Sequence, residues 1–192
     1  MASLAPSIAG PTAEELLRLQ NDASTEFVDG QIVEKPVSIE SSLIEQTVAR
    51  LLGNEAAKTH SAEVFGATIC YRCFPEDPNK YRRPDASVVT SQRFSGLDLT
   101  DGFLFVPPDL AVEVVSPNDL SYEVSEKVDE YLRNGFPLIW IVEPATKTVT
   151  IYRGDGTVTR LRANDEITGE KALPTFRCKV AEFFLLPANA KM

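Results

Sequence analysis

The segment Leu110-Ala-Val-Glu-Val-Val115 constrains this chain more than any other. Apart from Glu113, both of its faces are apolar. A strand of that kind must be covered on both sides, which places it at the centre of an α/β sheet. A second such run, Leu138-Ile-Trp-Ile-Val142, makes Trp140 a core residue of a central strand. Between the two, Ser116 to Asp119 reads as a turn, and a helix continues to Asn134, ended by Gly135 and Pro137. Strand, helix and strand joined this closely predict a right-handed parallel crossover.

The flanking sequence extends this unit. Phe27 to Val33 carries an Asp-Gly hairpin signal. Ser38 opens a helix to about Leu52, with Gly53 stopping it. One or two strands are expected over residues 61–74. A polar loop from Pro75 to Arg83 then leads into the strand Pro84 to Val89, and residues 91–108 are irregular. Thr148–Arg153 and Thr157–Arg162 alternate around Gly154-Asp-Gly156 as an antiparallel hairpin. Apolar residues from Phe176 to Phe184 close the fold. Thr12 caps a first short helix bearing Leu16, Leu17 and Leu19. This divides the chain into a leader (residues 1–11), one domain (12–186) and a tail (187–192).

Composition narrows the function classes. With 192 residues, 43% hydrophobic and 24% charged, the chain suits one domain and is not disordered throughout. Its net charge of −9 argues against general electrostatic coating of nucleic acid, while leaving room for a small basic patch or a cation-bridged site. Three cysteines, an odd number, point to a reducing cytoplasm. Cys70 and Cys73, three apart on a strand, point to opposite faces. A four-ligand zinc site would need both of them plus Cys178 and His60, so packing roles are favoured. His60 lies in a polar stretch and reads as a surface residue. Residues 1–11 lack the basic and apolar regions of a signal peptide, and Leu138–Val142 is too short to span a membrane.

Three positions carry chemistry. Glu113 is a carboxylate inside the most apolar strand and needs a cation, hydrogen bonds or a proton. Asp85 opens a strand directly after the basic run Lys80-Tyr-Arg-Arg83. Lys127 falls inside the helical stripe of Leu120, Val124, Val128 and Tyr131, so it faces the sheet that holds Glu113. Two acids and a lysine converging on a sheet suit metal-dependent phosphodiester hydrolysis. A buried Glu113–Lys127 ion pair without a catalytic role explains two of the three observations equally well. Glu40, in the stripe of Ile39, Leu43, Thr47 and Leu51, is a candidate third acid, or simply an acidic first-turn residue behind the Ser38 cap.

Arg82-Arg-Pro-Asp-Ala-Ser-Val-Val89, Pro108 to Asp119, Lys127-x-x-x-Tyr131-Leu-x-x-Gly135 and Trp140-Ile-Val-x-Pro144 together resemble the Uma family of restriction endonucleases, within the PD-(D/E)xK nuclease superfamily. The resemblance runs from about Glu14 to Phe184. It implies a restriction-endonuclease-like α/β fold: a mixed central sheet flanked by helices, with additional antiparallel hairpins. Asp85 takes the Asp of the Pro-Asp motif and Glu113 the acid of the (D/E)xK motif. The lysine position of that motif is Val115 here, a departure characteristic of the family, whose lysine has moved to the following helix as Lys127. Tyr131, one turn on, shares its face. Many members carry a histidine where this helix has Ser41 and Ser42.

The implied function is a Mg²⁺- or Mn²⁺-dependent endonuclease acting on DNA. Asp85, Glu113 and the Val114 carbonyl would hold the metal, Lys127 would position the attacking water, and Arg82 and Arg83 would meet the phosphate. Glu40 and Tyr131 would support them. A homodimer is expected, because cutting both strands takes two sites. The alternative is a non-catalytic binding or assembly module that keeps the nuclease fold. A third reading is a hydrolase for a small phosphorylated substrate.

Overall fold

Alternation along the apolar strands sets the layers of the molecule. The computed structural model describes residues 12, 15, 25–35, 37–100 and 102–185. Asp29 and Gly30, both at positive φ, turn β1 (Thr25–Val28) back onto β2 (Gln31–Glu34). Helix α1 (Ile39–Thr59) is capped reciprocally by Ser38 and Ser41, each backbone N–H donating to the other's hydroxyl at 3.0 Å. Then come β3 (Ala62–Gly66), β4 (Cys70–Tyr71), β5 (Ala86–Thr90), β6 (Phe103–Leu104) and β7 (Leu110–Val114). Helix α2 (Ser121–Arg133) links β7 to β8 (Leu138–Glu143). The chain continues through β9 (Thr148–Arg153), β10 (Val158–Arg162), β11 (Glu166–Gly169) and β12 (Leu173–Lys179).

Six strands form the central sheet in the order β10-β9-β8-β7-β5-β3. Only β7 and β8 run parallel, joined across α2, so the sheet is mixed. Leu110, Val112, Val114, Trp140 and Val142 pack on one face with Ile44, Val48, Leu52 and Ala56 of α1. Ala111, Ile139 and Ile141 pack on the other with Val128 and Tyr131 of α2. The expected parallel pairing of the two central strands across a helix, the mixed sheet and the hairpins are all present.

Two boundaries differ from the sequence expectation. Helix α1 does not stop at Gly53 but runs on to Thr59, with His60 at φ 52° as its C-cap. The apolar stripe persists through Leu52 and Ala56, and burial of that stripe outweighs the helix penalty of one glycine. Residues 91–108 contain a 3₁₀ turn (Ser91–Phe94) and β6, which pairs parallel to β4. The first helix falls mostly outside the described residues. At its start, Thr12 N–H donates to Glu15 Oε2 at 2.7 Å. All three cysteines are free. Cys70 packs with Phe27, Tyr81 and Phe103, and Cys73 with the α2-side cluster.

Candidate active site

Strand register brings the two expected acids together. β5 and β7 pair antiparallel with Ala86 opposite Val112, which brings Asp85, the residue just before β5, to the end of β7 that carries Glu113. One ammonium, that of Lys35, reaches both carboxylates, and Glu113 points to the α2 side of the sheet, where Lys127 and Tyr131 bind it. Asp85 and Glu113 are only 5% and 8% exposed, and two like charges in such a place require cations and donors.

Those partners come from β7, from α2 and from the residue that follows β2. The Val114 N–H donates to Asp85 Oδ2 at 2.6 Å. From α2, the Tyr131 hydroxyl donates to Glu113 Oε1 at 2.7 Å, and Lys127 Nζ donates to Glu113 Oε2 at 2.9 Å. Lys127 also lies 3.1 Å from Glu26 Oε1 and 5.9 Å from the Tyr131 ring centroid, a cation–π contact. Burial, then the charges of Glu113 and Glu26, raise the Tyr131 phenol well above its ordinary pKa, so it remains a donor. From the end of β2, Lys35 Nζ donates to Asp85 Oδ1, to the Arg83 carbonyl at 2.9 Å and to Glu113 Oε2 at 3.4 Å. Burial opposes charge on Lys35, but Glu113, Asp85 and Glu26 outweigh it and raise its pKa.

Glu26, from β1, is buried and anchors the cationic side. Its carboxylate accepts the Arg83 N–H at 2.8 Å and Arg82 Nη1 at 3.0 Å. Burial pushes its pKa up, but the charges of Lys127, Arg82 and Lys35 and the Arg83 N–H hold it far below the usual carboxylate range. Glu45 of α1 behaves oppositely. Burial, then the Asp85 charge, pushes its carboxyl up to about 8 against the pull of Lys35. These groups line a cavity of about 590 Å³ whose edge carries the exposed acids Glu34, Glu123 and Glu126.

Asp85, Glu113, Lys127 and Tyr131 therefore converge, and Val114 lies beside them. Glu40 does not join them: it is half-buried in the first turn of α1, outside the cavity lining, and Glu45 takes that place. The stripe that α1 buries is Ser41, Ile44, Val48, Leu52 and Ala56, not the one through Ile39, which is 83% exposed. The two arginines are not free phosphate ligands either. Arg82 lines the cavity but is held by Glu26 and by Glu130, whose Oε2 accepts its Nε at 2.7 Å. Arg83 is 4% exposed, and its Nη1 donates to the Thr68 carbonyl at 2.8 Å. Sequence reasoning missed Lys35, Glu45 and the buried Glu26. An Asp-Gly hairpin carrying Glu26 and Lys35 at its two ends was the available signal for two of them.

Residues 13–181 match the Uma2 family, described as "Putative restriction endonuclease". The chain belongs to the Uma2 family. A crystal structure of a "putative nuclease belonging to DUF820" from Anabaena variabilis superposes with a TM-score of 0.75 at 19% identity, covering 91% of this chain and 97% of that one. That likeness shows the fold. Comparison with curated proteins finds no match. Membership of the Uma2 family supports a nuclease function for this chain. Val115, two residues beyond Glu113, is half-buried, and Lys127 reaches Glu113 from α2. Among the described residues no helix is long and apolar enough to cross a membrane.

Proposed function

We propose that this Uma2 chain is a divalent-metal-dependent endonuclease of the PD-(D/E)xK type that hydrolyses phosphodiester bonds in DNA. The carrying observation is the 2.9 Å contact of Lys127 Nζ with Glu113 Oε2, with Asp85 joined to the same Glu113 oxygen through Lys35.

The donor set fits Mg²⁺ or Mn²⁺. Among the described residues no three His, Cys, Asp or Glu side chains form a ready-made cage. Two hard carboxylates with room for water are nonetheless what Mg²⁺ takes, and the two already share one cation, the Lys35 ammonium. Asp85, Glu113 and the Val114 carbonyl would hold the metal. When bound, it supplies a more acidic water and charge compensation at the phosphate. Lys127, fixed between Glu26 and Glu113, orients the attacking water and offsets developing negative charge. Tyr131 fixes the Glu113 carboxylate by its hydrogen bond. Arg82 acts through Glu26 and Glu130, which it holds in place. We further propose that two copies act together on duplex DNA, in a reducing compartment such as the cytoplasm that suits three free cysteines.

The test is supercoiled-plasmid cleavage with Mg²⁺ or Mn²⁺, against chelator, Glu113→Ala and Lys127→Ala. Nicking or linearisation by the wild type alone supports the reading. Cleavage that survives both substitutions overturns it. The exposed acids at the cavity edge favour a second reading, a binding module that keeps the nuclease fold. That reading predicts no site-specific Mn²⁺ uptake in a calorimetric titration.

A further inference from the structure

The two lysines at the site are held differently. Lys127 has an anchor of its own in Glu26, which is itself fixed by Arg82 and the Arg83 N–H. Lys35 is bound through Asp85 Oδ1, Glu113 Oε2 at 3.4 Å and the Arg83 carbonyl at 2.9 Å. An ammonium has three donors, and these three oxygens take all of them. Two carboxylates and a carbonyl are also the oxygen types that bind a hard divalent cation. The charged head of Lys35 thus sits where a cation bridging Asp85 and Glu113 has to sit. Its backbone follows β2, whose four residues are all exposed, so the side chain can withdraw without disturbing the core.

We propose that Lys35 is a built-in counter-ion for the Asp85–Glu113 pair, and that divalent metal binds by displacing its ammonium. This rests on the metal-dependent reading above. Without metal, Lys35 keeps two buried carboxylates from repelling each other. With metal, it leaves the pair and is free to meet the phosphate from the hairpin side, while Lys127 stays in place.

The consequence is a sign that a merely structural lysine does not produce: removing Lys35 strengthens metal binding. Calorimetric titration of Mn²⁺ into wild type, Lys35→Met and Lys35→Arg tests it. Lys35→Met should bind Mn²⁺ roughly tenfold or more tightly than wild type, the scale set by a charge-assisted contact that no longer competes. Lys35→Arg, which keeps the charge, should stay near wild type. In chelator Lys35→Met should melt below wild type and gain more from added Mn²⁺.

A second measurement needs no variant. Acetylation of wild-type lysines, mapped by mass spectrometry, should label Lys35 slowly in chelator and faster with Mn²⁺, with Lys127 unchanged. Equal or weaker Mn²⁺ binding by Lys35→Met, or Lys35 labelling that Mn²⁺ does not increase in a wild type that binds it, overturns the proposal. If wild type and Lys35→Met both take up no Mn²⁺, the metal-dependent reading itself fails and takes this one with it.

Discussion

A single hydroxyl holds one of the two Glu113 carboxylate oxygens, while lysines hold the other. Tyr131 is fully buried, stacks on Phe136 with ring centroids 4.2 Å apart, and donates to Glu113 Oε1. Tyr131→Phe keeps the ring and its stacking but leaves that oxygen without its donor, at a cost of about 1–3 kcal/mol. We expect a folded variant with a modestly lower melting temperature and roughly ten- to hundredfold slower cleavage, on the scale of one lost hydrogen bond. Plasmid-cleavage rates beside circular dichroism melts check this, and an unchanged rate would show that Glu113 needs no such support. Glu45 gives a pH signature. Its folded-state pKa of about 8 lies above the ordinary 4.5, so the folded protein keeps a proton that the unfolded chain releases. That contribution is complete below about pH 4.5 and is lost as pH rises through about 8. In chelator, the melting temperature should fall between those limits, and Glu45→Gln should flatten the fall. Lys127 was legible in the sequence because a helical wheel needs only local periodicity. Lys35 was not: its partners lie 50 and 78 residues away, and only strand register and the fold of the hairpin bring them to it.

Elements were legible wherever burial alone decides them. The two central strands are apolar on both faces, and the parallel crossover between them follows from that pattern and the short joints. Helix α1 was misjudged at Gly53 because a local stop signal competes with tertiary burial, and burial of Leu52 and Ala56 wins. The same helix was misread in phase. Ile39 is apolar yet exposed, so a stripe anchored on it selected Glu40 instead of Glu45. If Gly53 is simply a tolerated interior glycine, alanine should suit it better. A Cβ there meets nothing within 4 Å. Gly53→Ala should therefore stabilise the protein by up to about 1 kcal/mol, the helix-propensity difference between the two residues. Urea denaturation measures this, and a destabilised variant would show that the helix needs flexibility at this point.

At the scale of the whole molecule, charge is the property hardest to reconcile with a polyanionic substrate. The net charge is −9, and Glu34, Glu123 and Glu126 stand exposed where the cavity opens. The site's own cations do not offset this, because Lys35, Arg82 and Lys127 are each bound to carboxylates. A nucleic acid reaching Asp85 and Glu113 must therefore pass an acidic edge, and its approach should depend on screening by divalent cations. Reversing two charges on the exposed side of α2 isolates that cost. Glu123→Lys combined with Glu126→Lys changes the local charge by four without touching the groups that bind Glu113. In chelator, where a metal-dependent enzyme leaves the duplex intact, the double variant should bind a short duplex about tenfold or more tightly than wild type at roughly 50 mM salt. The gain should shrink steeply by about 200 mM, as counter-ion release requires. Fluorescence anisotropy across a salt series measures both. Equal affinity at low salt would mean that the duplex does not approach over α2, and the path to the site would have to lie along the hairpin that carries Lys35.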